Sequence, residues 1–374
     1  MTRTSTASSG PSLPFSLLSR YLTFSDRDQC QWWQNKGQLL SQMLQDCGYN
    51  EHQQYQYLTL FHHDLAPALG AWPAPQVGQQ DNTLPSDAGE LELSLTFKGQ
   101  NTFLRIAFEP FGSMKGAEGR DPSNQAPIQS LLKNLEKLEG VQLCLDHYHT
   151  LVNHLTLSDR DQRELETTNK KSLAERMPSW TQHTLALNLI DGDVYPQLYF
   201  HPQLKSLATD KPVSEMLFDA LRATDSDIAP ALAMLHEYLH KAPATTVPAF
   251  LSCDLIEPSA ASRRIFLAET NITWDRIQGL WTLRGKLDDS PQRVQPLKTL
   301  WDILKIRDGI RGNDECPLLI TMALSKNAPF IETQIAFPME GKDELSIGEA
   351  VSHFLAGFWG GDQAIIYPKA LRSY

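Results

Sequence analysis

Along this chain the spacing of hydrophobic positions switches repeatedly between a helical and a strand period. The first helical stretch opens at Ser25, where Ser25-x-x-Asp28 has the form of a capping box. It runs through QCQWWQNKGQLLSQMLQ and stops near Gly48. A second follows through HQQYQYLTLFHHDLAPALG to Gly70. Strict alternation then takes over in ELELSLTF (90–97). It turns in the KGQN segment and resumes in FLRIAFEP (103–110), which predicts a β-hairpin.

The same order recurs. Helical stretches at 127–139 and 145–166 precede a hairpin over 184–202, HTLALNLI–DGD–VYPQLYFHP. A third helical pair, 213–223 and 227–241, precedes AFLSCDLI and SRRIFLAE. A fourth, 273–283 and 294–307, precedes CPLLITMAL and FIETQIAFP. A fifth begins with SIGEAVSHFLAGFWGG and IIYPKALRSY, and no hairpin follows it. The later units repeat roughly every 70 residues. Successive antiparallel hairpins flanked by helices fit an α+β fold of two kinds, a barrel with helices outside or an open sheet under a helical layer.

Alternation sorts each strand into two faces. Leu91, Leu93, Leu95 and Phe97 go with Leu104, Ile106 and Phe108. Glu92, Ser94, Arg105, Ala107 and Glu109 lie opposite. Leu198 and Phe200 oppose Gln197, Tyr199 and His201; Ile265 and Leu267 oppose Arg264 and Phe266; Ile335 and Phe337 oppose Gln334 and Ala336. If helices cover the apolar faces, the others converge on a lumen of arginines, carboxylates, glutamines and aromatic rings, a surface suited to a small ligand. The alternative is the solvent face of an open sheet.

Composition narrows the class. At 41% hydrophobic and 21% charged, the chain has an ordinary globular composition, and no run of eighteen apolar residues would span a membrane. A net charge of −11 gives nucleic acid and anionic membranes no general attraction, so an anionic ligand needs a local basic cluster. Five cysteines without a C-x-x-C pair suit reduced thiols in a cytoplasmic protein. Residues 1–14 are Ser/Thr/Pro-rich and read as a disordered tail ahead of one domain over 15–374. His147, His149 and His154 lack good helical ligand spacing, Asp288-Asp289 reads as a polar loop, and Trp32 and Trp33 read as packing residues.

Several segments together resemble the fungal aromatic prenyltransferases of the dimethylallyltryptophan synthase type: WW in the first helix, QQYQYL, ELSLTF before LRIAFEPFG, PQLYFHPQLKSLAT, WTLRGK and GFWGG. No one motif is very specific; their order on a repeated ααββ framework is. The resemblance covers nearly the whole chain. It implies the ABBA or PT barrel, a ten-stranded antiparallel barrel inside a ring of helices. It also implies metal-independent transfer of a dimethylallyl group from its diphosphate to an indole or related aromatic acceptor, with no cofactor.

On that resemblance Glu92 matches the glutamate that accepts the indole N–H. Arg105 matches the first diphosphate-binding arginine, and Arg264 a second basic position. Tyr199 matches a tyrosine that binds phosphate and faces the allyl cation, and Gln334 a polar ligand of the fourth hairpin. Gln197 stands in the diphosphate set where the family has lysine. Phe266 stands where it has tyrosine and would shield the cation, and Thr184 lines the acceptor pocket where tryptophan-prenylating members place a lysine. Ser262 and Ala336 replace a further arginine and tyrosine, and the fifth hairpin is missing. Each lost charge-assisted contact is worth about 1.5–3 kcal/mol.

The leading expectation is prenyl transfer onto an indole or related aromatic acceptor in alkaloid biosynthesis; Thr184 argues against attack at the usual position on free tryptophan and points to a larger indole alkaloid, a cyclic dipeptide or a polyketide-derived phenol. Two others stand beside it: a diverged barrel that cyclises or rearranges an intermediate without a prenyl diphosphate, and an inactive truncated relative. A homodimer is compatible with any of them.

Overall fold

The computed structural model describes residues 13–72, 91–98, 101–111, 125–167, 170–174, 181–312, 315–339 and 341–358. Its centre is an eight-stranded, wholly antiparallel sheet that curls on itself. The strands are β1 (Glu92–Lys98), β2 (Asn101–Phe108), β3 (His183–Ile190), β4 (Asp193–Phe200), β5 (Thr246–Asp254) and β6 (Arg263–Glu269). A two-residue pair, β7 (Asn271–Ile272) with β8 (Gly309–Ile310), stands apart from it. The chain then returns as β9 (Leu318–Leu324) and β10 (Ile331–Ala336). The order β1-β2-β3-β4-β5-β6-β9-β10 joins the four expected hairpins side by side, with β1 and β10 as edges among the described residues.

The described helices pack against the apolar face of the sheet. They are α1 (Leu13–Tyr21), α2 (Arg27–Trp32), α3 (Gln38–Asp46), α4 (Glu51–Leu60), α5 (Ala126–Leu135), α6 (Tyr148–Leu155), α7 (Asp159–Thr167), α8 (Lys170–Ala174), α9 (Gln203–Thr209), α10 (Val213–Thr224), α11 (Ala229–His240), α12 (Trp274–Trp281), α13 (Pro291–Leu304) and α14 (Glu344–Phe358). Against them the sheet turns Leu104, Ile106, Leu185, Leu187, Leu198, Leu251, Ile265 and Ile320, all fully buried in one apolar core. Burying each such side chain is worth about 1.5–3 kcal/mol. That is why the alternation fixes which face the helices cover.

Two tyrosines, Tyr49 just before α4 and Tyr57 within it, tie this part of the chain to the sheet. The Tyr49 hydroxyl accepts from the Leu104 N–H at 2.9 Å and donates to the Leu189 carbonyl at 2.6 Å, bridging β2 and β3. The Tyr57 hydroxyl accepts from Gly192 N–H at 3.0 Å and donates to the Asp193 carbonyl at 3.1 Å. Gly192 has φ +97 in the β3–β4 turn, a conformation that favours glycine. Trp32 and Trp33 are packing residues. Both are buried, and Trp33 stacks on Phe15 at 4.9 Å and passes over Gly37, where an added Cβ would lie 3.2 Å from the ring.

Several boundaries differ from the sequence reading. Asp26, not Ser25, caps α2, accepting from Gln29 N–H, while the Ser25 N–H and hydroxyl both donate to the Gln29 side chain. The chain from Arg27 to Asp46 includes a π-helical turn at Trp33–Gly37, and another at Phe61–Leu65 follows α4. The stretch read as one helix over 145–166 is two, α6 and α7. Helix α1 starts at Leu13, with Pro14 buried, inside the segment read as tail; residues 1–12 lie outside the described residues. So do residues 99–100 of the KGQN turn and the IIYPKALRSY segment. Asp288 accepts from the Ser290 N–H and hydroxyl at the entry to α13, as a polar loop does.

Candidate active site

The register across the sheet places the sequence-selected residues on one face, opposite the helices. Glu92 pairs with Ala107, Ala107 with Ala186, Ala186 with Gln197 and Gln197 with Asp254. A neighbouring row runs Thr184, Tyr199, Ser252, Arg264, Ala323. A third runs Phe250, Phe266, Thr321, Gln334. The concave side of the curled sheet is therefore polar and aromatic, as the alternation predicts.

Arg105 reaches along this face from β2 to β4. Its Nη2 donates to Gln197 Oε1 at 2.6 Å and to the Tyr199 hydroxyl, and its guanidinium carbon lies 5.2 Å from the Tyr199 ring centroid. The Tyr199 hydroxyl also donates to Gln197 Oε1 at 3.2 Å, and Gln197 Nε2 donates to Ser252 Oγ at 3.1 Å. Gln197 thus does something a lysine there could not: its carbonyl oxygen accepts from Arg105 rather than repelling it. Burial pushes the Tyr199 phenol up, outweighing the opposite pull of Arg105 and Arg264, and the Glu92 charge raises it further. Arg105, Arg264 and Glu92 thus all act on the Tyr199 phenol.

Arg264 is not free. Its Nη1 lies 2.7 Å from Asp254 Oδ1 and its Nη2 3.4 Å from Asp254 Oδ2. The same carboxylate accepts from Ser262 N–H at 3.1 Å. Beside this pair stands an aromatic cluster. Phe250 and Phe266 stack at 4.3 Å and 17°, and the Tyr199 ring is 5.5 Å from Phe266. His201 lies 5.1 Å from Phe250, and its Nε2 is 3.2 Å from Thr184 Oγ1.

The selected residues are not equally engaged. Arg105, Gln197, Tyr199, Arg264, Phe266 and Thr184 belong to this connected set. Glu92 and Gln334 share its face but sit on the edge strands β1 and β10 and are exposed. Ser252, Asp254, Phe250 and His201 were not selected from the sequence. Phe250, Ser252 and Asp254 alternate with Leu251, Cys253 and Leu255, so the signal was present, in a strand whose pairing shifts between Pro248 and Phe250. Among the described residues no group of three or more His, Cys, Asp or Glu side chains is placed to hold a metal ion, the three histidines of 147–154 included. No helix among them is long and apolar enough to cross a membrane.

A curled antiparallel sheet with helices outside and arginines beside stacked rings inside defines a class, and comparison with known proteins agrees with it. The family model for tryptophan dimethylallyltransferase matches residues 28–369. Prenyltransferase phqA of Penicillium fellutanum is 42% identical, covering 96% of this chain and 90% of that protein. Prenyltransferase malB of Malbranchea aurantiaca is 39% identical, covering 96% and 99%. The crystal structure of NotF in complex with brevianamide F and DMSPP superposes with a TM-score of 0.81 at 29% identity, covering 97% of this chain and 90% of that one. The chain belongs to the tryptophan dimethylallyltransferase family of aromatic prenyltransferases, and its fold is the PT barrel of that family.

Proposed function

We propose that this protein transfers a dimethylallyl group from its diphosphate to the indole of a tryptophan-derived acceptor larger than tryptophan, a cyclic dipeptide foremost, without a metal ion. The observation that carries this reading is the convergence of Arg105, Tyr199 and Gln197 beside the Phe250–Phe266 stack. A guanidinium and a phenol hydroxyl suit the oxygens of a leaving diphosphate. Aromatic faces suit the allyl cation left when the carbon–oxygen bond breaks, and they keep water from it. A nucleophilic ring carbon then bonds to the cation, and a proton leaves. Glu92 would accept the indole N–H and so aim the ring; Gln334 would add a polar contact on the other side of the opening. The NotF complex, with an acceptor and DMSPP bound together, supports this pairing of ligands. Thr184 in place of a lysine supports an acceptor other than free tryptophan.

One observation favours the second reading, a barrel that works without a prenyl diphosphate: Asp254 already occupies Arg264. The two are separated by incubating purified protein with dimethylallyl diphosphate and a panel of indole cyclic dipeptides, tryptophan and phenols, with and without EDTA. Products one prenyl unit heavier are expected, in equal yield with the chelator. Loss of product with EDTA contradicts metal independence. No product with any acceptor contradicts prenyl transfer.

A further inference from the structure

Prenyl transfer to a ring carbon that bears hydrogen ends with the loss of a proton, and the residues chosen for binding are poorly suited to take it. Glu92 is exposed on an edge strand. Asp254 has both oxygens on Arg264. The Tyr199 phenol is held by Arg105 and Gln197.

His201 is differently placed. It directly follows β4, where its backbone N–H donates to the Gln182 carbonyl at 3.0 Å. The strand alternation turns its side chain to the face that carries Tyr199. Its ring lies 5.1 Å from Phe250, which stacks on Phe266, so it borders the rings that would face the allyl cation. Its Nε2 is 3.2 Å from Thr184 Oγ1, and Thr184 is the register partner of Tyr199. The hydroxyl in contact with the imidazole is therefore one strand away from the phenol of the cluster.

We propose that Thr184 and His201 form the relay that removes the proton when the prenylated ring regains aromaticity. This rests on the prenyl-transfer reading. The ring C–H bond breaks and its electron pair returns to the π-system. The proton passes to Thr184 Oγ1 as the hydroxyl's own proton passes to His201 Nε2, and the imidazolium later yields it to the diphosphate product. The relay requires the imidazole tautomer protonated on Nδ1.

Burial pulls the His201 imidazole down to about 4, so at neutral pH it is uncharged and able to accept. Such a weak base is sufficient, because the cationic ring intermediate is a far stronger acid than imidazolium. It is also favourable, because a charged imidazolium beside an allyl cation would destabilise it.

The test is to measure kcat with an indole acceptor carrying hydrogen or deuterium at the attacked carbon, in wild type, His201→Phe and Thr184→Val. Binding of a thiolodiphosphate donor analogue and thermal unfolding serve as folding controls. Wild type is expected to show the same kcat with either isotope. Each variant that folds is expected to lose about 100-fold in kcat, with donor KM little changed, and to acquire a primary isotope effect. Thr184→Val is nearly isosteric, so it keeps the test decisive if His201→Phe does not fold. Wild-type kcat in the variants overturns the relay; so does a loss confined to KM, or a loss of kcat without an isotope effect. A wild type that turns over no acceptor overturns the prenyl-transfer reading and this one with it.

Discussion

The chemistry of this site depends on how a few charges share one concave face. Arg105 and Arg264 share this face with the carboxylates of Glu92, Glu109 and Asp254, so placement rather than net charge must favour a diphosphate. Asp254 and Arg264 are both partly screened, with side chains 19% and 22% exposed. Replacing the carboxylate by an amide keeps a hydrogen-bond acceptor for Arg264 but removes the competing charge. Asp254→Asn is therefore expected to bind inorganic pyrophosphate about 5-fold more tightly than wild type by calorimetry, equivalent to about 1 kcal/mol. Weaker binding would show that Asp254 acts mainly by holding Arg264 in place. Most of this face was legible in the sequence, because a period of two is enough to put Arg105, Tyr199, Arg264 and Phe266 on one side. The Asp254 pairing was not, since alternation gives a residue's face but not its partner.

At the level of elements, the ααββ units were legible from the change of hydrophobic period. Their ends were less so. Helix caps depend on a single side-chain bond, and Ser25 and Asp26 are both chemically able to make one. The π-helical turns leave no clear mark in the pattern, because each spans only five residues, too few to set a period of its own. Strand β3 carries a separate liability. His183 lies on its helix-facing side, buried, against Phe200 at 5.6 Å, with neither ring nitrogen hydrogen-bonded. Burial depresses it to about 3, below an ordinary histidine. A folded value below the unfolded one means stability that is full above about pH 6.5 and is lost as pH falls toward 3. His183→Leu is expected to move the acid-unfolding midpoint to lower pH, followed by circular dichroism. An unchanged or higher midpoint would show that other groups control acid unfolding.

At the scale of the whole molecule, the sheet brings together residues from segments far apart in the chain, and that could be expected but not read directly. Local alternation fits an open sheet as well as a curled one; curling depends on strand register and on helices covering the apolar face. The described edges β1 and β10 leave Glu92 and Gln334 exposed, while Arg105, Tyr199 and Arg264 sit farther inside. On the proposed function, donor binding by Arg105, Tyr199 and Arg264 falls in the interior of the sheet, and the acceptor lies between Thr184 there and Glu92 at the edge. Calorimetric titration with dimethylallyl thiolodiphosphate tests this most directly. One molecule should bind per chain, and Arg105→Leu should weaken it by at least about 10-fold, the loss of one charge-assisted contact. No binding by wild type, or equal binding by Arg105→Leu, would contradict it.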